Sequence, residues 1–81
     1  MEPRTTEKLA QDYSAMGDSV VLITDVIAGN SMADEDAEER QGCVDRNTQR
    51  LELMVAKDDW GSEDMTATNA AIVSGNGYTA S

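Results

Sequence analysis

Residues 9–27 read LAQDYSAMGDSVVLITDVI, and the spacing of their apolar side chains decides the fold class. Leu9, Tyr13, Met16, Val20, Ile23 and Ile27 follow one another at steps of 4, 3, 4, 3 and 4. A helix turns once in about 3.6 residues, so this rhythm places all six on one face, whereas a half-buried strand would need strict alternation. Leu22 and Val26 widen the face towards its C-terminal end. Taken alone, the β-branched stretch from Val20 to Ile27 would also suit a strand. The 3–4 rhythm begins upstream of that stretch and continues through it, which favours a helix over about residues 6–28. Pro3 and Thr5-Thr6-Glu7 are start signals and Gly29-Asn30 is a stop signal. Gly17-Asp18-Ser19 is a point where the helix would break in two, with Asp18 or Ser19 as a new N-cap.

Working outward, residues 33–57 are expected to form a second helix with Ser31 as its N-cap. Asp34, Glu35, Asp36, Glu38 and Glu39 come early, and Arg46, Arg50 and Lys57 come late. That order complements the helix macrodipole. Its apolar line is thin: Ala37, Val44, Leu51 and Met54 or Val55, with Gln41 and Thr48 between them. A helix with so little to bury is largely solvated or lies on a polar partner. Trp60-Gly61-Ser62 reads as a turn, with Ser62 as the N-cap of a third helix over about 63–75 and Met65, Asn69, Ile72 and Val73 as its inner face. Gly75-Asn76-Gly77 ends it, leaving residues 76–81 as a tail in which Tyr78 is a free end or an anchor. The expectation is one all-α domain over 1–81, built as a small bundle or as an extended helical hairpin plus a third helix.

Composition limits how such a domain holds together. The 81 residues include only six Val, four Leu and three Ile, with no Phe. The apolar share of 40% depends on ten Ala, which bury little, and five Met, which pack adaptably. A formal net charge of −10 adds self-repulsion. A small domain so composed is marginal alone. It is therefore expected to lean on other copies of itself or on a larger protein partner. The same charge argues against nucleic-acid phosphates and anionic membrane surfaces as partners. The longest bulky apolar run, Val20 to Ile23, is far too short to span a bilayer. No signal peptide is evident, and the single Cys43 permits no intrachain disulfide, which suits a cytoplasmic or virion setting.

Chemistry is scarce. With no His, neither a Ser-His-Asp arrangement nor a Glu-x-x-His metal motif exists within the chain. One Cys cannot make a zinc site, and Arg40 and Arg46 flank it too loosely to mark it as a reactive thiol rather than a small packed residue. The acidic run 34–39 reads first as a solvated helix start, and then as a surface for a basic partner or a cation. The cluster Asp58-Asp59-Trp60-Gly61-Ser62-Glu63-Asp64 lacks the ligand alternation of a calcium loop. Trp60 there reads as a cap on the helix junction or as an interface anchor. Gly75-Asn76-Gly77 lacks the Lys of a phosphate loop. No catalytic, cofactor-binding or metal-binding residue is assigned, and no small-molecule substrate is expected. The reading that remains is a non-enzymatic structural or assembly protein, a multi-copy component of a larger complex such as a virion. Its interface candidates are Leu9, Tyr13, Val20, Ile23, Ile27, Trp60 and Tyr78. The alternative is an acidic binding module, an inhibitor of a basic protein that mimics DNA, whose acids at 34–39 and 58–64 would then line one continuous face.

Overall fold

The computed structural model describes residues 4–81. Pro3, one of the start signals, lies outside them. Three helices, α1 (Thr6–Ala28), α2 (Ala37–Val55) and α3 (Thr66–Asn76), run up, down and up, and each packs on both others. They form a bundle rather than an extended hairpin, with overall dimensions of 42 × 21 × 19 Å.

Helix α1 is continuous. Gly17 sits inside it, and the expected break at Gly17-Asp18-Ser19 does not occur; Ser19 is buried in the bundle, between Met16 and Ile23 on the inner face. Thr5 caps the start, its hydroxyl accepting from the Lys8 N–H at 3.0 Å. At the other end Gly29 takes the left-handed conformation (φ 81°), and the Asn30 N–H donates to the Asp25 carbonyl at 2.8 Å. This six-to-one bond is the Schellman closure that glycine favours.

Helix α2 starts later than its charge pattern suggests. Met32 has a φ of 57°, which turns the chain away from right-handed helix, and the Glu35 N–H closes a tight turn onto the Met32 carbonyl. Asp36, not Ser31, is the N-cap, its carboxylate accepting from the Glu39 N–H at 2.8 Å. Asp34 and Glu35 therefore belong to the connection. Cys43, Val44, Thr48 and Leu51 are buried along α2, so the thin line read from Val44 through Thr48 to Leu51 is its inner face.

Helix α3 begins at Thr66, three residues after the expected start, and Ser62 does not cap it. Instead the Asp64 carboxylate accepts from the Thr66 N–H at 2.9 Å. Its inner face is Thr68, Ala71 and Gly75, with Ile72 half-buried, while Asn69 is exposed and Val73 is 73% exposed. The expected face is thus rotated, and the reason is steric. A Cβ built on Gly75 would lie 1.9 Å from Thr48 Oγ1 and 3.0 Å from Thr48 Cβ. Helices α2 and α3 approach so closely here that only the smallest side chain fits. That contact, more than apolar bulk, sets the rotation of α3.

The core is small: Met16, Ile23 and Val26 from α1, Cys43, Val44 and Leu51 from α2, Ala71 from α3, and Trp60 from the α2–α3 connection. Met16, Ile23, Leu51 and Val44 are the largest side chains wholly enclosed.

Candidate functional site

At the lower end of the bundle, where α1 starts and α2 ends, five side chains tie distant parts of the chain together. The Trp60 ring is buried, and its Nε1–H donates to the Met54 carbonyl at 2.8 Å, a second donor to a carbonyl that also accepts from the Lys57 N–H at 3.2 Å at the end of α2. Tyr13 packs on it with ring centroids 6.2 Å apart and donates its hydroxyl to the Asp64 carbonyl at 2.8 Å. The Arg4 guanidinium lies 4.3 Å over the Trp60 ring, a cation–π geometry. It also bonds Asp12 through Nη1 at 2.8 Å and Asp59 through Nε at 2.8 Å and through Nη2. Both carboxylates are consequently held below 3.8, Asp59 chiefly by Arg4 and Asp12 by Lys8 and then Arg4. Their pull raises the Arg4 pKa further above its ordinary value. This cluster is a structural junction.

At the upper end, Gln41 holds the tail. Its amide nitrogen donates to the Tyr78 carbonyl at 3.0 Å, and its amide oxygen accepts from the Ala80 N–H at 2.8 Å. Arg40 adds a bond to the Ser81 backbone oxygen at 2.6 Å. Tyr78 is half-buried against the core, an anchor within its own chain. Nearby, Glu35 and Asp36 raise the pKa of Glu39 above 4.5, Glu35 being the main cause.

The remaining interface candidates divide by position. Ile23 and Trp60 are enclosed by the chain itself, Leu9 is half-buried against the core, and Ile27 is 39% exposed. Tyr13 and Val20 are half-buried beside Ile27 on the outward edge of α1. At about 100° per residue, the stripe 9-13-16-20-23-27 is centred about 60° away from the buried set Met16, Ser19, Ile23 and Val26. Part of the apolar stripe is therefore spent inside the bundle, and Tyr13, Val20 and Ile27 are left along its rim.

The rim borders a surface that composition alone did not reveal. On the outer side of α1, Ala10, Ser14, Gly17, Val21, Thr24 and Ala28 are all exposed and uncharged, within about 40° of one line. Val21 projects from its centre, 58% exposed. Across the α1–α3 groove, no side chain from Met65 to Ser81 carries a charge. A hollow of about 100 Å³ opens in this groove, lined by Tyr13, Met16, Gly17, Val20, Asp64, Ala67 and Thr68. Asp64 at the rim of the hollow apart, the charges lie on α2, in the two connections, at Arg4, and on α1 at Glu7, Lys8, Asp12, Asp18 and Asp25. The two acidic groups, 34–39 and 58–64, are separated by the length of α2, roughly 30 Å at about 1.5 Å per residue. They cap opposite ends of the bundle.

Among the described residues, no group of three or more acids or cysteines could hold a metal ion, and no helix is long and apolar enough to cross a membrane. Comparison with protein-family models, curated proteins and solved structures found no match to the chain.

Proposed function

We propose that the chain is a non-enzymatic structural or assembly protein that works in multiple copies within a larger complex such as a virus particle. One observation carries the reading: a protein with a net charge of −10 has a single charged side chain, Asp64, in the hollow between α1 and α3, and Val21 stands exposed on the uncharged outer line of α1 beside it. Solvation alone would favour scattering charges over every helix. A charge-free side is where acidic subunits meet with least repulsion and least desolvation. The alternative, an acidic module that grips a basic protein, draws on the acids at 34–39 and 58–64 at the two ends of α2 and on the exposed Glu38, Asp45 and Glu52 along it.

The test is sedimentation equilibrium of the purified chain against protein and salt concentration. Association through an uncharged face between like-charged copies strengthens as salt screens their repulsion. An acidic module gripping a basic partner would behave oppositely and weaken. A folded monomer at every concentration and every salt level would sink the assembly reading.

A further inference from the structure

We infer that Gln41 and Arg40 form a receptor for an extended peptide backbone at the upper end of the bundle, and that residues 78–81 of a second copy of this chain take the seat that its own residues 78–81 fill here. The inference rests on the assembly reading, because exchange needs copies held close together. The receptor is built on α2. Gln41 Nε2 donates to Asp45 Oδ1 and to the Tyr78 carbonyl, each at 3.0 Å, and Gln41 Oε1 accepts from the Ala80 N–H at 2.8 Å. An ionised carboxylate only accepts, so Asp45 fixes which end of the Gln41 amide faces Tyr78.

The two tail bonds of Gln41 grip the carbonyl before Thr79 and the N–H after it, groups that an extended chain presents on one side. Arg40 bonds the Ser81 backbone oxygen at 2.6 Å while also bonding the Glu35 carbonyl of the α1–α2 connection. All three tail contacts read main chain. The same segment of another copy therefore satisfies them equally well.

The tail is held by this receptor more than by its own helix. Among the described residues, a single backbone bond returns from it to α3, from the Tyr78 N–H to the Gly75 carbonyl at 3.3 Å. Gly77 stands between the helix and the tail, and glycine least restricts the direction in which the chain leaves. A hollow of about 370 Å³, lined by Val26, Ile27, Ser31, Arg40, Thr79 and Ser81 among others, lies beside the tail, so polar bonds rather than close packing hold this stretch. No side chain of residues 78–81 carries a charge, so the segment approaches another acidic copy without adding repulsion. Bonds made in a second copy nearly equal those made at home. Exchange is then set by local concentration, the attached tail counting as roughly millimolar.

The experiment mixes two full-length variants. Ala80→Pro removes the N–H that donates to Gln41 and leaves the receptor intact, whereas Gln41→Ala leaves the tail intact and removes the receptor. Ala80 lies beyond α3, and alanine suits a helix at position 41, so both variants keep their helices, as circular dichroism would verify. In nitrogen-15-labelled Ala80→Pro the Gln41 side-chain amide signal should be displaced from its wild-type position. Unlabelled Gln41→Ala at roughly millimolar concentration should bring it back by about half or more, and unlabelled Ala80→Pro should not. A signal that Ala80→Pro does not displace overturns the receptor. A displaced signal that Gln41→Ala fails to restore, or that both proteins restore alike, overturns the exchange and leaves the seat to the chain's own tail. The assembly reading is decided separately, by sedimentation of the wild-type chain.

Discussion

Replacing Gly75 by Ala tests the packing argument directly, because two effects of opposite sign meet at one position. In a solvated helix interior the change would stabilise by up to about 1 kcal/mol through backbone entropy. Gly75 is one residue from the end of α3, so the gain there is smaller. Against it stands a Cβ placed 1.9 Å from Thr48 Oγ1, with Thr48 Cβ next at 3.0 Å and Cγ2 at 3.1 Å. Rotating Thr48 about χ1 exchanges one heavy atom for another, since a β-branched residue in a helix has little freedom. Helices α2 and α3 must separate by more than an ångström, or the register must slip. Overpacking of this kind costs roughly 1–3 kcal/mol, and the net expectation is a loss of about 1–2 kcal/mol. For an 81-residue domain whose total stability is on the order of 4–12 kcal/mol, that is a large fraction. Urea denaturation followed by fluorescence of the buried Trp60, the only tryptophan, reads it out. The second arm is Thr48→Ala, which removes Oγ1 and Cγ2, leaving only the residue's Cβ at 3.0 Å, and with Oγ1 goes a buried hydroxyl that has no hydrogen-bond partner. Combined with Gly75→Ala it should recover at least about 1 kcal/mol relative to additivity. A Gly75→Ala protein as stable as wild type, or more so, would refute the claim that this contact sets the rotation of α3.

Two further outcomes follow from the lower junction. Trp60→Phe removes one of two donors to the Met54 carbonyl, which keeps the Lys57 N–H, and should cost about 0.5–1.5 kcal/mol by circular dichroism melts; an unchanged melting temperature would show that the indole bond adds nothing to the backbone one. Acid titration should expose the Arg4 junction: Asp12 and Asp59 have folded pKa values below 3.8, so their stabilisation is complete above that value and lost as pH falls through the lower folded ones. Glu39 has the opposite sign. Its pKa is raised above 4.5, so its contribution is present below 4.5 and lost as pH rises through the folded value. In Arg4→Ala, the carbon-13 shift of the Asp59 carboxyl should titrate at a higher pH than in wild type; no change from wild type would deny Arg4 its role.

The helical class and the course of α1 are legible in the 9–27 rhythm, because a 3–4 repeat sustained over five turns has no other economical arrangement. The inner line of α2 is legible for the same reason, even with Thr48 in it. What could not be read was where each face points. Leu9, Tyr13, Val20 and Ile27 belong to the apolar stripe of α1, yet the bundle closes on Met16, Ser19, Ile23 and Val26. A buried serine and four partly exposed hydrophobic side chains follow from how α2 and α3 dock, and no local spacing encodes that. Helix α3 was assigned by bulk, with Val73 inside, whereas close approach selects Thr68, Ala71 and Gly75. The signal was present in Gly75, read only as a helix stop. Likewise Asp36 outcompetes Ser31 as a cap because the connection turns at Met32, a residue type that rarely adopts a positive φ. Trp60 was readable as a junction cap. The charge-free outer side of α1 also lies in the sequence, but it stands out only once the buried face is known.

The two latches at the ends of the bundle join residues far apart along the chain: Arg4 with Asp59, Tyr13 with Asp64, and Gln41 with Tyr78 and Ala80. Each closes a loop of tens of residues, and the entropy of closing it is lost before the bond can form. During folding, the local turns of α1 and α2 therefore come first, and these fastenings form on the downhill side of the barrier. Weakening a fastening should leave the refolding rate nearly untouched and quicken unfolding, so the ends of this molecule govern how long it stays folded rather than how fast it gets there.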